Sequence, residues 1–174
     1  MRRFLLVASL TAAMGAAMAA LADRPLRPVT NATVVSECGD CHVVYLPQML
    51  PKRSWQRLMD GLADHFGEEL SLDPATRQEV LDYLLANAAD SGGKRGRRFL
   101  KGLGPDDAPI RITETPRWRK KHRELPKSVW SDSRIAFKGE CNVCHTEAER
   151  GRYDDDHGLR VPGPGETWRR WDDD

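Results

Sequence analysis

Apolar positions along the chain recur mostly at three- and four-residue spacing, the period of an α-helix with one buried face. Trp55, Leu58, Met59, Leu62, His65 and Phe66 form one such stripe, opened by Pro51 at a first helical position and closed by Gly67. Asp73 and Pro74 make an N-cap and first-position pair ahead of a second stripe: Val80, Leu81, Leu84, Leu85 and Ala88. Thr115 and Pro116 start a third, in which Trp118, His122 and Leu125 share a face until Pro126 ends it. Ser36 is the expected N-cap of an earlier helix, Pro47 and Pro51 bound a turn, and a late helix is expected around residues 137–148. Only Ile110 and Ile112, alternating with Arg111 and Thr113, suggest a short strand. The pattern predicts a mainly α protein with limited β structure in its second half.

The start of the chain follows a different logic. Arg2 and Arg3 precede an apolar run from Phe4 to Met18, and Ala20-Leu21-Ala22 supplies the small residues of a cleavage site. That order predicts a signal peptide over residues 1–22, since the run is shorter and richer in Ala and Gly than the ~20 residues a membrane anchor needs. The protein is therefore expected to be exported to the periplasm. Farther on, Gly92, Gly93, Gly96, Gly102 and Gly104 lie among lysines and arginines, which reads as a linker over 91–108 between halves at 23–90 and 109–174. The tail, with Pro162, Pro164, Trp168 and Trp171, shows no period.

Charge sharpens this division. Residues 23–90 carry 6 basic and 11 acidic side chains, 91–138 carry 14 and 5, and 139–174 carry 5 and 10. A basic block in a cytoplasmic chain would raise the question of nucleic acid. For an exported chain no nucleic-acid partner is expected.

All four cysteines fall in two identical frames, Cys38-Gly39-Asp40-Cys41-His42 and Cys141-Asn142-Val143-Cys144-His145. Two disulfides or a Zn site built from two Cys-x-x-Cys knuckles would use the cysteines. Neither explains the histidine after each pair. Covalent attachment of a c-type haem does: both thiols join the porphyrin edge, and the next histidine binds the iron. Cys38, Cys41, Cys141 and Cys144 are thus expected to carry two haems, with His42 and His145 as proximal ligands. Each half has only about 75 residues, too few for a large core of its own, so the porphyrin would complete it. The expected architecture is two small haem-binding halves, each built around one covalent haem.

The sixth ligand separates electron transfer from binding or activation of small molecules. Beyond the signal peptide the methionines are Met49 and Met59, both in the first half, so the second haem needs His122 or His157. His122 shares a helical face with Trp118 and Leu125 and is preferred, whereas His157 follows three aspartates and precedes Gly158, as in a solvated turn. For the first haem the candidates are His65, Met49 and Met59; His65 is preferred, with Met59 as core filler. The charges around His122 (Arg117, Arg119, Lys120, Lys121 and Arg123) read as a solvated face, an offset for haem propionates or a dock for an acidic partner.

With these residues placed, the chain resembles the small periplasmic dihaem cytochromes c. The resemblance rests on the first Cys-x-x-Cys-His, the Trp55 to Leu72 segment with His65-Phe66-Gly67, the Trp118 to His122 segment and the late second motif. It implies two low-spin haems with two histidines each, and maps the distal ligands onto His65 and His122. It also implies a monohaem, oxygen-binding c-type cytochrome as redox partner and a membrane cytochrome b as electron donor. The expected function is electron transfer between redox proteins. The alternatives are a small haem enzyme with one open axial site, reducing peroxide, oxygen or a nitrogen oxide, and a non-catalytic subunit docked on a membrane complex.

Overall fold

Asn31 caps the first helix, α1 (Ala32–Gly39), its side chain accepting from the Val34 amide at 2.8 Å. Ser36, the expected cap, therefore lies inside the helix. The earlier start lets Val34 turn into the core. The computed structural model describes residues 25–154, 158–163 and 168–169. The expected signal peptide, His157 and part of the tail lie outside the described residues.

α2 (Lys52–Asp60) follows Pro51 and stops earlier than the stripe predicted. Gly61, not Gly67, ends it, its amide shared between the carbonyls of Arg57 and Leu58. Leu62 and His65 consequently leave the helix: a 3-10 turn (Leu62–Asp64) leads into a tight bridge between His65 and Glu68. α3 (Pro74–Asn87) matches its prediction, with Asp73 accepting from Ala75 and Thr76 and Pro74 at the first position. α2 packs on α3, and α1 and the Pro47–Met49 turn cover them. Val34, Leu50, Trp55, Met59, Val80, Leu81, Leu84 and Ala88 form the main core. Inside it the Trp55 indole donates to the Pro47 carbonyl at 2.8 Å.

The basic Gly-rich stretch is docked on the first half. It holds α4 (Lys94–Leu100), with Gly96 set against the Ala89 backbone. Arg53 binds the carbonyls of Gly104 and Asp107, and Arg57 that of Ala108. The strand suggested around Ile110 and Ile112 is absent; Ile112–Glu114 is a 3-10 turn. Thr115 decides this, because its amide and hydroxyl both bond to the Ile112 carbonyl while its hydroxyl caps α5 (Pro116–Lys121).

The second half continues with α6 (Lys127–Trp130) and α7 (Cys141–Cys144), one short turn where a longer helix was expected. His145 ends it by pairing with Leu159. Strands β1 (Val161–Pro162) and β2 (Trp168–Arg169) pair antiparallel, Val161 opposite Arg169. Among the described residues the fold is thus mainly helical, and its two paired strands lie in the second half. A smaller core joins Val129, Ile135 and Val161. Segments far apart in sequence also meet: the Leu26 amide donates to the Gly151 carbonyl at 2.9 Å, where Gly151 adopts φ 78° and a side chain would strike Leu26. Among the described residues no helix is long and apolar enough to cross a membrane.

Candidate haem sites

Each motif histidine faces the distal histidine named for it from the sequence. Cys38 sits in the last turn of α1, and the chain bends through Cys41 to His42. His42 then lies opposite His65, ring centroids 6.3 Å apart and planes inclined by 25°. In the second half His122 caps the end of α5 and faces His145 at 6.2 Å, with planes inclined by 81°. Two imidazoles trans across one metal, with bonds of about 2 Å and each centroid about 1.1 Å behind its nitrogen, stand about 6.2 Å apart. Both pairs meet that separation.

The ring nitrogens agree with it. Nδ1 of His42 lies 2.8 Å from the Val43 carbonyl, and Nδ1 of His122 lies 2.8 Å from the Trp118 carbonyl. A backbone bond on Nδ1 fixes the tautomer and leaves Nε2 for a metal. His145 Nδ1 is buried without a hydrogen-bond partner. Burial pushes the His145 imidazole down to about 4, with His122 adding to the effect, and burial also lowers His122 and His65. Neutral imidazole is the form that ligates. Burial likewise raises the Cys38, Cys141 and Cys144 thiols to about 11.

Aromatic side chains shape both pockets. Tyr45 stacks on His42 at 4.5 Å, and Tyr153 lies 5.3 Å from His145 with its hydroxyl buried and unpartnered. Trp118 stacks flat on His122 at 4.3 Å, and Trp130 packs against both, 5.4 Å from Trp118 and 6.1 Å from His122. A cavity opens between His122, His145, Cys141 and Cys144, lined also by Trp118, Trp130, Tyr153 and Met49. Its donors and apolar walls suit a porphyrin linked to both thiols. Met49, weighed above for the first haem, therefore belongs to the wall of the second site. Met59 is buried with Trp55 and Leu84 in the core.

The first pair is more open. His65 is half-buried on its bridge, and Phe66 beside it is 41% exposed at φ 60°, a left-handed conformation that bulky residues rarely adopt. The Arg111 guanidinium lies 3.8 Å above the Phe66 ring and holds this turn from the neighbouring segment. Neither Tyr45, Tyr153, Trp130 nor Arg111 stood out in the sequence as a site residue; the positions of Tyr45 three residues after His42 and of Tyr153 eight after His145 were the available signals. Among the described residues no three histidines, cysteines or carboxylates gather into a metal-ligating group, so the two motifs do not converge on one Zn.

The model of the dihaem cytochrome c family matches residues 34–153. A dihaem cytochrome c from Rhodobacter sphaeroides is 43% identical, with TM-score 0.67, over 73% of this chain and 99% of its own. The dihaem cytochrome c of Shewanella baltica OS155 is 31% identical, with TM-score 0.65, over 82% and 98%. A search of curated proteins found no match. With two Cys-x-x-Cys-His motifs, two facing histidine pairs and this likeness over most of its length, the chain belongs to the dihaem cytochrome c family and carries two covalently attached haem c groups.

Proposed function

We propose that the protein is a periplasmic electron carrier in which His42 and His65 ligate one haem iron and His145 and His122 the other. Electron transfer is the general role of dihaem cytochromes c. Cys38 and Cys41 hold the first haem, Cys141 and Cys144 the second, and both irons are low spin. The observation that carries this reading is the matched separation of the two pairs, 6.3 and 6.2 Å. The haem supplies one-electron chemistry at iron, and a filled sixth position favours electron transfer over small-molecule binding. Around it the chain orients: Trp118 stacks on His122 with Trp130 against both, Tyr45 braces His42, and backbone carbonyls fix two of the rings.

Residues 1–22 act as the signal peptide that directs export and are cleaved from the mature chain. The partner is a monohaem c-type cytochrome, with a membrane cytochrome b as the electron donor. Arg119, Lys120 and Lys121 stand exposed on α5 beside His122, a basic surface suited to an acidic partner face.

Absorption spectra of the oxidised and reduced protein, with and without carbon monoxide, test the ligand assignment. Native protein should be low spin and unreactive to carbon monoxide, His65→Ala should open the first haem, and His122→Ala the second. Opening of the second haem by His157→Ala instead would reassign that ligand. One observation favours a haem enzyme with an open site: His65 sits on an exposed bridge next to the strained Phe66. Carbon monoxide binding by the reduced native protein would support that reading.

A further inference from the structure

Tyr45 belongs to the first half by sequence and touches both sites. Its ring lies on His42 at 4.5 Å and 22°, nearly parallel. Its hydroxyl donates to the Gly139 carbonyl at 2.9 Å, 94 residues away. The same carbonyl accepts from the amide of Cys141 at 2.8 Å and lies 3.3 Å from its Sγ. Gly139 has no side chain where a Cβ would collide with the Tyr45 hydroxyl, so glycine is required for this approach. A ring stack and two hydrogen bonds thus connect the histidine of one motif to the first cysteine of the other.

We infer that Tyr45 is the positioning residue that couples the two haems electronically, giving a contact path from His42 through the phenol and the Gly139 carbonyl to Cys141. This rests on the proposed ligation by His42. One electron is exchanged between the irons, one oxidised as the other is reduced; no bond forms or breaks, and the Tyr45 phenol keeps its proton and is not itself oxidised. The hydroxyl acts through the Gly139 carbonyl, which it shares as acceptor with the Cys141 amide. The ring acts through its face on His42. The two contributions are separable by substitution.

The test uses the protein with both haems attached, photoreduced to the one-electron state, and follows relaxation between the haems optically alongside spectra and midpoint potentials. Tyr45→Phe keeps the stack and loses the hydrogen bond; exchange should slow severalfold with both haems still low spin and both potentials unmoved. Tyr45→Leu loses both contacts and should slow it further. Gly139→Ala, whose Cβ would meet the Tyr45 hydroxyl and the Phe137 ring, keeps the Tyr45 side chain and should resemble Tyr45→Phe. Should Tyr45→Leu fail to fold, Tyr45→Phe and Gly139→Ala still decide. Exchange unchanged in low-spin Tyr45→Phe and Gly139→Ala, or slowed only as far as an altered potential difference accounts for, overturns the inference. Loss of the low-spin spectrum in the native protein would instead mark failure of the ligand assignment.

Discussion

His122 and His145 cross at 81°, whereas His42 and His65, at almost the same separation, are inclined by only 25°. An axial imidazole interacts with one of two iron d orbitals according to its plane. Near-parallel rings load one orbital and separate the pair in energy; crossed rings load both alike and keep them close. Electron paramagnetic resonance of the oxidised protein should therefore show two different low-spin signals, a rhombic one from the first haem and a strongly anisotropic one from the second. His65→Ala should remove the rhombic signal. Two superimposable signals would contradict these ring angles.

Trp55 anchors the main core through one buried hydrogen bond to Pro47. Trp55→Phe leaves that carbonyl without its donor and should destabilise the protein by ~1–3 kcal/mol. Denaturant melts followed by haem absorbance and circular dichroism read the change as a lower midpoint. A midpoint equal to that of the native protein would show that water or a shifted donor satisfies Pro47.

Acid should loosen the second half through Asp132. Hydrogen bonds from the Arg134 side chain and amide hold its carboxyl near 2, against the usual 3.8. Arg134 grips both carboxylate oxygens at 2.7 Å next to the core residue Ile135. A carboxyl pKa lowered in the folded state means the stabilisation is present above about pH 4 and is lost as pH falls towards 2. Melting temperatures recorded across that window should fall less steeply for Asp132→Asn than for the native protein. Equal slopes would remove this pair from the acid response.

Transfer to an acidic partner should depend on salt. Arg119 and Lys120 are exposed on α5, whereas Arg123 is engaged by Glu124 at 2.9 Å, so the former two carry more of the free positive field. Charge reversal at Arg119 and Lys120 should slow second-order electron transfer, and the difference should shrink above about 0.1 M salt, where the screening length falls to about 10 Å. Both haem spectra should stay as they are. A rate indifferent to salt and to both substitutions would move docking elsewhere.

Local chemistry was the legible part of this chain. Asp73-Pro74 and Thr115-Pro116 start α3 and α5 as expected, because a cap acts within one turn. The haem frames are equally local. His65 and His122 could be named by counting the donors available, and each does face its motif histidine. Yet the stripe through His65 overran Gly61, since periodicity reports burial and does not register a competing helix end. α4 was hidden by its glycines and charges; it is held by Gly96 against Ala89 and by Phe99 under Arg117, contacts between distant segments. Tyr45 escaped notice for the same reason, its partner lying 94 residues on.

The hydrogen bond from Leu26 to Gly151 has a bearing on how the molecule matures. A chain made from its amino end presents Leu26 early and Gly151 late, and both Cys-x-x-Cys-His frames lie between them. This clasp can form only after the residues of both Cys-x-x-Cys-His frames have been made, so both frames lie within the loop that it closes.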